Sequence, residues 1–146
     1  MTIDNDAPHL ASIQKKSAML RDKLRGVFLG YKPALLIWGA GGAGKSWTVE
    51  EEARATGVML RRATGVLTPR AFYEQLRRHP DDVHLLEDNE QLLSKDDAVT
   101  VLREATWTVE RDDNARDDGR FPDRRVTWSR SGDPNDFVFS GGIVMT

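Results

Sequence analysis

The chain has 146 residues, 39% of them hydrophobic and 30% charged, with a formal net charge of −2. This is the length of one ordinary domain, and it is enough to bury a core. The near balance of charge argues against a broad basic surface that binds nucleic acid. The lack of cysteine excludes a disulfide framework.

The first predicted element is a long amphipathic helix. Apolar residues recur with helical spacing over residues 10–29, and Gly30 ends the pattern. Because amphipathic helices usually exist for burial, we expect the apolar face to pack on the rest of the chain. The sequence therefore divides into an N-terminal helix in residues 1–30 and a core in residues 31–146. A partner-binding role for the helix stays open.

The core alternates predicted strands with predicted helices. Short apolar runs predict strands at residues 34–38, 58–61 and 83–86. Between and after them, helices are predicted at residues 47–56, before Gly57, at residues 69–80, with Thr68 as cap and Pro69 in the first turn, and after a capping box that begins at Ser94. This alternation predicts an α/β fold with a parallel sheet covered on both sides.

The last third of the core has a different composition. Residues 111–125 contain five arginines and five aspartates and few apolar residues, which is typical of a solvated loop. Two apolar runs, 126–128 and 137–139, flank a turn-rich segment and predict a hairpin. The final apolar run, residues 141–146, predicts a central strand that is cut off at its tip.

One motif in the core carries chemistry. Eight residues after the first predicted strand match G-x-x-x-x-G-K-[ST], and they are Gly39, Ala40, Gly41, Gly42, Ala43, Gly44, Lys45 and Ser46. Glycines let backbone N–H groups turn towards a polyanion, and the following helix favours negative charge at its N-terminus. Lys45 would reach the β- and γ-phosphates, and the Ser46 hydroxyl would bind Mg²⁺. The motif predicts a site for a nucleoside triphosphate.

Two tryptophans flank this loop. Trp47 follows it directly and is a candidate contact of the nucleotide, and Trp38 precedes it. Large aromatic side chains are more often core residues, and the sequence favours that interpretation for both.

A pair of carboxylates stands where a phosphate loop needs an acidic partner. Glu87 and Asp88 end the strand predicted at residues 83–86, at the edge of an α/β sheet where ligands bind. One carboxylate would serve Mg²⁺, and the other would polarise the water that attacks the γ-phosphate. Asn89 and Glu90 are alternatives for these roles. His84, inside the strand, is interpreted as a packed histidine rather than a ligand.

At these residues the chain resembles the AAA+ family of ATPases, over residues 32–146. The resemblance rests on residues 39–46, 85–88 and 143–146, and it implies a P-loop NTPase three-layer sandwich with a mainly parallel sheet. The family's acidic motif usually reads Asp-Glu, so by position Glu87 would serve the metal and Asp88 the water. The family also has a polar residue that positions the water, and Thr146 lies at or just before that place.

The resemblance also implies parts that the sequence lacks. These are a fifth strand beside the phosphate-loop strand, an arginine finger received by a neighbouring subunit, and a helical lid. We therefore expect a truncated ATPase domain, or one completed by another chain, with its first strand at an open edge. A homo-oligomer is the assembly that the finger implies.

The expected function is binding of ATP and Mg²⁺, with hydrolysis that drives remodelling of a macromolecule whose identity the sequence does not give. A nucleotide-binding module without efficient turnover is the alternative, and a small-molecule kinase that uses residues 111–125 as its lid is a third. No apolar run approaches the roughly 18 residues of a membrane span, and the polar, acidic start is not typical of a secretory signal. We expect a cytoplasmic protein that does not bind membranes.

Overall fold

A computed structural model describes residues 6–107, 116–128 and 136–146. Five helices and six strands lie in these ranges. In chain order they are α1 (Ala7–Phe28), β1 (Ala34–Leu36), α2 (Lys45–Thr56), β2 (Leu60–Ala63), α3 (Pro69–Arg78), β3 (Val83–Leu86), α4 (Glu90–Leu93), α5 (Asp96–Thr106), β4 (Arg124–Val126), β5 (Phe137–Phe139) and β6 (Gly142–Met145).

Four strands form one parallel sheet in the order β1-β6-β3-β2. The strand β6 pairs with both β1 and β3, and its Val144 stands opposite Leu35 on one side and Leu85 on the other. Over the described residues, β1 and β2 are the two edges of this sheet. The predicted α/β class, and the central position of the last strand, are confirmed.

Helices cover both faces of the sheet. Because neighbouring residues of a strand point to opposite faces, Leu85 and Val144 pack with α1 and α2, whereas Leu86 and Ile143 pack with α3 and α5. The hairpin of β4 and β5 joins the second of these cores. The sheet therefore lies between two separate apolar cores, one on each face.

The helix α1 contacts the core through its C-terminal third. Leu24, Val27 and Phe28 are buried there, whereas the N-terminal part of the helix is exposed. An ionic cluster joins it to α2, because the buried carboxylate of Glu52 accepts hydrogen bonds from Arg21 and Arg25. Burial acts to raise the pKa of Glu52, but these two guanidinium groups outweigh it and hold that pKa below its ordinary value. In the ranges that the structure describes, no helix combines the length and apolar character needed to cross a membrane.

The structure corrects several predicted boundaries. β1 ends at Leu36 rather than at residue 38, α3 ends at Arg78 rather than at residue 80, and β4 covers Arg124–Val126 rather than residues 126–128. The strand β2 begins at Leu60, two residues later than predicted. The capping box at Ser94 is wrong, because α5 begins at Asp96 after Lys95 and has no side-chain cap. The Ser94 hydroxyl instead donates to the carbonyl of Gln91 at 2.7 Å, where it ends the short, unpredicted helix α4.

The prediction that residues 111–125 form a solvated loop is wrong at Arg124, which is buried. Arg124 lies in β4, and its guanidinium donates to the carbonyls of Ala105, Pro122 and Gly141. Burial lowers its pKa to about 10. Arg124 thereby ties the hairpin to the end of α5 and to the start of β6. Residues 108–115 of the predicted loop and 129–135 of the predicted turn lie outside the described residues.

His84 is the buried titratable group at the centre of the sheet. Its Nε2 lies 2.8 Å from the carbonyl oxygen of His79, and its Nδ1 lies 3.1 Å from the amide nitrogen of Gln75. These partners fit a neutral ring that donates from Nε2 and accepts at Nδ1. Burial lowers the pKa of His84 to about 4, against the opposing influence of the His79 carbonyl and of Asp82. The histidine is packed, as expected from the sequence.

We predict that the free energy of unfolding falls as the pH is lowered from about 7 towards 4. The unfolded chain protonates His84 near its ordinary pKa of 6.5, whereas the folded chain does so only near about 4. The unfolded state therefore binds more protons in this window, and the loss approaches about 3 kcal/mol at its lower end. Urea unfolding across this range, compared with His84→Gln, measures the effect. Equal slopes in both proteins would contradict the assignment.

Two glycines give a matched pair of stability tests. A Cβ on Gly141 would lie 2.0 Å from the carbonyl oxygen of Asp82, whereas one on Gly26, inside α1, would meet only the flexible Lys32 side chain at 3.4 Å. We expect Gly141→Ala to lower the free energy of unfolding by about 1–3 kcal/mol or more. Gly26→Ala should raise it by about 0.5–1 kcal/mol. Chemical denaturation measures both, and a Gly141→Ala protein as stable as the wild type would refute the close approach.

Candidate functional site

The predicted phosphate loop lies between β1 and α2. Gly42 and Gly44 have φ angles of 74° and 73°, a left-handed conformation that favours glycine. A Cβ added to Gly41, Gly42 or Gly44 would meet no atom of the described residues within 4 Å. The inner side of the loop is therefore open, and backbone groups are accessible there.

The lysine and the helix N-terminus bring positive charge to this loop. The Lys45 Nζ donates to the carbonyl oxygens of Gly39 and Ala40, at 2.9 Å each. The first N–H of α2 with a helical partner is that of Thr48, which donates to Gly44 at 3.0 Å. The N–H groups of residues 45–47 come before that of Thr48. They lack a hydrogen-bond partner within α2, because the carbonyls four residues earlier lie outside the helix. Such free N–H groups, with the helix dipole, favour an anion.

Glu87 connects the end of β3 to the loop. Its carboxylate is buried and accepts hydrogen bonds from Arg62, whose Nη2 lies 2.9 Å from Oε1 and whose Nε bonds Oε2. The Ser46 side chain lies close to this carboxylate. The Arg62 hydrogen bonds lower the pKa of Glu87 most, burial opposes them, and the Ser46 hydroxyl adds to the lowering. The structure therefore brings together the two side chains predicted to hold a metal ion.

The residues after Glu87 turn into the same region. Asp88 is exposed and has a φ of 50°, a left-handed conformation that is uncommon outside glycine. Asn89 is buried, and its Nδ2 donates to the carbonyls of Glu87 at 2.8 Å and Ala63 at 3.2 Å. Its Oδ1 is buried without a hydrogen-bond partner in the described part of the chain. Asp88, Asn89 and Glu90 all line one cleft with the loop.

This cleft has a volume of about 730 Å³ and lies at the carboxyl edge of the sheet. Of the predicted site residues, Gly39, residues 41–47 and Asp88 line it, while Ala40 and Glu87 do not. Glu87 instead reaches the loop through Ser46. Thr146, next to the end of β6, also lines the cleft. The volume of the cleft is typical of small-molecule sites, which span about 300–1,000 Å³.

The two tryptophans are not core residues, contrary to the interpretation favoured from the sequence. Trp38 is 90% exposed and Trp47 is 60% exposed. Both line the cleft, together with Leu36, Leu93 and Met145. The physical reason is their position, because the segment around the loop lies at the sheet edge, beyond the two cores between sheet and helices. The cleft therefore has a polar end at the loop and apolar walls.

Sequence reasoning missed Arg62 and Glu50. The guanidinium of Arg62, on β2, bonds Glu87 and also Glu50 of α2. The parallel register sets Arg62 opposite Leu85 and Ala63 opposite Leu86, which brings Arg62 close to the end of β3. The one indication in the sequence was that Arg62 is a charged residue next to a predicted strand, and this does not predict which residue it pairs with.

The magnesium ion implied by the resemblance fits the residues present. The Ser46 hydroxyl lies close to the Glu87 carboxylate, and there is open space beside Gly41, Gly42 and Gly44. Within the described ranges, no group of three or more His, Asp or Glu side chains is arranged to hold a metal ion. Mg²⁺ is usually bound through one or two carboxylates, several waters and substrate phosphates. Ser46 and Glu87 would therefore be a sufficient protein contribution once Arg62 releases an oxygen of Glu87.

Comparisons of the chain with protein-family models, with curated proteins and with solved structures give no match. The function is therefore argued from the geometry of the site itself.

We predict that Arg62→Ala lowers the free energy of unfolding by about 1–3 kcal/mol, because it leaves the buried Glu87 carboxylate without its charged donor. Arg61→Ala is the matched control, since Arg61 lies on the same strand and pairs with Asp82. The side chain of Asp82 is 24% exposed, whereas that of Glu87 is 9% exposed. The control should cost less than about 1 kcal/mol. Chemical denaturation measures both, and equal losses would argue against a special role for the Arg62 pair.

Proposed function

We propose that this chain binds Mg-ATP through the loop of residues 39–46 and hydrolyses it as part of a P-loop, AAA+-like ATPase core. One observation carries the proposal. Gly39 and residues 41–46 of the loop line one cleft with Asp88, which follows Glu87 at the end of β3. The Ser46 side chain also lies close enough to the buried Glu87 carboxylate to lower its pKa. A loop open to anions and an acidic group on a separate strand thus converge, which is what a metal-bound phosphate ester requires.

The sheet order supports the same proposal. The strand β6 separates β1, which leads into the loop, from β3, which carries the carboxylates. Such an order places a ligand at the carboxyl ends of the strands, where the connections diverge to opposite faces. It is also compatible with the AAA+ resemblance, in which β1 lies beside a further strand.

Each site residue has a distinct role in the proposal. Lys45 exchanges its bonds to the carbonyls of Gly39 and Ala40 for the β- and γ-phosphate oxygens. The N–H groups of residues 45–47 bind phosphate oxygens at the start of α2. Ser46 and Glu87 would hold Mg²⁺, which when bound would draw charge from the phosphates.

Asp88 is the proposed base for hydrolysis. Its carboxylate is exposed and lines the cleft. A water oxygen forms the new bond to the γ-phosphorus, the bond from that phosphorus to the β,γ-bridging oxygen breaks, and Asp88 accepts the water proton. The products are ADP and phosphate. In the proposed setting, a cytoplasmic and homo-oligomeric assembly, turnover drives remodelling of a macromolecular client.

One observation favours the second candidate, a nucleotide-binding module without efficient turnover. Arg62 occupies both oxygens of Glu87 and neutralises the charge that would attract Mg²⁺. If this pair persists with nucleotide bound, ATP binds but is not hydrolysed. Phosphate release measured over a range of protein concentrations separates the two candidates, because the module shows affinity with no release at any concentration.

We predict that Lys45→Ala weakens ATP binding roughly 10- to 100-fold, since a hydrogen bond to a charged group contributes about 1.5–3 kcal/mol. Magnesium-dependent phosphate release should disappear with it. Isothermal titration and a phosphate-release assay measure the two effects. Lys23→Ala is the control, because Lys23 is exposed on α1 and does not line the cleft. Unchanged ATP affinity in Lys45→Ala would show that the loop is not the site.

A further inference from the structure

The cleft beside the loop has more apolar wall than a phosphate chain needs. Trp38, Trp47, Leu36 and Leu93 are exposed, and all of them line this one cleft. Large apolar side chains that are gathered in a concave site, rather than scattered over the surface, mark a ligand contact. The loop accounts for a triphosphate, so the walls call for a second, apolar part of the same ligand.

We propose that the indole of Trp47 is the stacking platform for the base of the bound nucleotide, and that it gives the site a preference for purine nucleotides. This inference rests on the proposed function, because it assumes that the triphosphate occupies the loop. It adds what the loop cannot specify, which is the kind of nucleoside that the triphosphate carries.

The order of residues along the loop favours Trp47. Lys45 and Ser46 serve the β- and γ-phosphates and the metal in the proposed function, and Trp47 is the next residue, in the first turn of α2. Its N–H group belongs to the same set of free donors at the start of the helix. The ribose and base extend beyond the α-phosphate, and the Trp47 side chain lines the cleft from this turn.

The two tryptophans differ in how well they are held. Trp47 lies on a helix of 12 residues and is 60% exposed, so its backbone is held by the helix and part of its surface is already covered. Trp38 is 90% exposed and lies outside β1, in a segment without helix or strand. Stacking on a ring that is partly fixed loses less side-chain entropy. Trp47 is therefore the platform, and Trp38 is a secondary wall.

Ring size explains the preference for purines. Stacking on an aromatic side chain depends on the area of overlap, and each base contributes through its π-face rather than through specific hydrogen bonds. A purine covers more of an indole than a pyrimidine does. ATP and GTP should therefore both bind more tightly than CTP, and inorganic tripolyphosphate, which has no base, should bind most weakly.

The test measures binding of ATP, CTP and inorganic tripolyphosphate, each with Mg²⁺, by isothermal titration. For Trp47→Ala we expect ATP affinity to fall roughly 5- to 100-fold, the range typical of losing one stacked base. Tripolyphosphate affinity should stay as in the wild type, and the preference for ATP over CTP should disappear. Trp47→Phe, which keeps an aromatic ring, should restore most of the ATP affinity.

Trp107→Ala is the control, since Trp107 is 64% exposed, does not line the cleft, and its loss should leave ATP affinity unchanged. Trp38→Ala, which removes the secondary wall, should weaken ATP binding less than Trp47→Ala does. The inference is overturned if Trp47→Ala leaves ATP affinity unchanged, or if it weakens ATP and tripolyphosphate equally. It is also overturned if Trp38→Ala is the variant that removes the preference. A wild-type protein that binds neither ATP nor tripolyphosphate refutes the proposed function itself, whereas one that binds both equally refutes only the stacking.

Discussion

The insertion of β6 between β1 and β3 is the constraint on which the site depends. Parallel strands lie about 4.8 Å apart, so one intervening strand holds the start of the loop and the end of β3 roughly 10 Å apart. This separation leaves room for a chain of phosphates, while the Ser46 side chain, at the end of the loop, still lies close to Glu87. The close approach of Gly141 to the carbonyl of Asp82 lets β6 enter this position.

A continuous ionic path joins this cleft to the helix layer. Glu50 on α2 and Glu87 after β3 are bonded by the same guanidinium, that of Arg62, and Glu87 also meets Ser46. Removing a partner from a buried ionic group is costly, so the members hold each other in place. In the proposed function the arrangement would have a second effect, since the arginine that holds Glu87 would compete with Mg²⁺ for the same oxygens. Stability and the proposed metal affinity would therefore oppose each other at Glu87.

Local sequence patterns predicted the parts of the fold that depend on local interactions. Residue order and periodicity predicted the loop of residues 39–46 between a strand and a helix, and the strand at residues 83–86, and the structure has these elements. Phosphate binding by the loop stays a prediction. Apart from the one at Ser94, the failures depend on tertiary partners. Ser94 lies between two helices, and it caps the end of α4 rather than the start of α5. Arg124 is buried, although it belongs to a stretch of mixed charge that is typical of a solvated loop. The pairing of Arg62 with Glu87 depends on strand register, and the exposure of Trp47 depends on where the helix layers end, neither of which composition reveals.

The left-handed backbone at Asp88 raises the question of why this position carries aspartate rather than glycine. A residue with a side chain in this conformation costs about 1 kcal/mol relative to glycine, so a chain selected for stability alone would carry glycine here. The position instead keeps a carboxylate, exposed at the mouth of the cleft, beside a second carboxylate that is buried. The conformation turns the chain sharply after β3, so that two adjacent acids occupy unlike surroundings. The two adjacent acids therefore lie in different places: Glu87 is held inside the protein, and Asp88 is exposed to any ligand that enters the cleft.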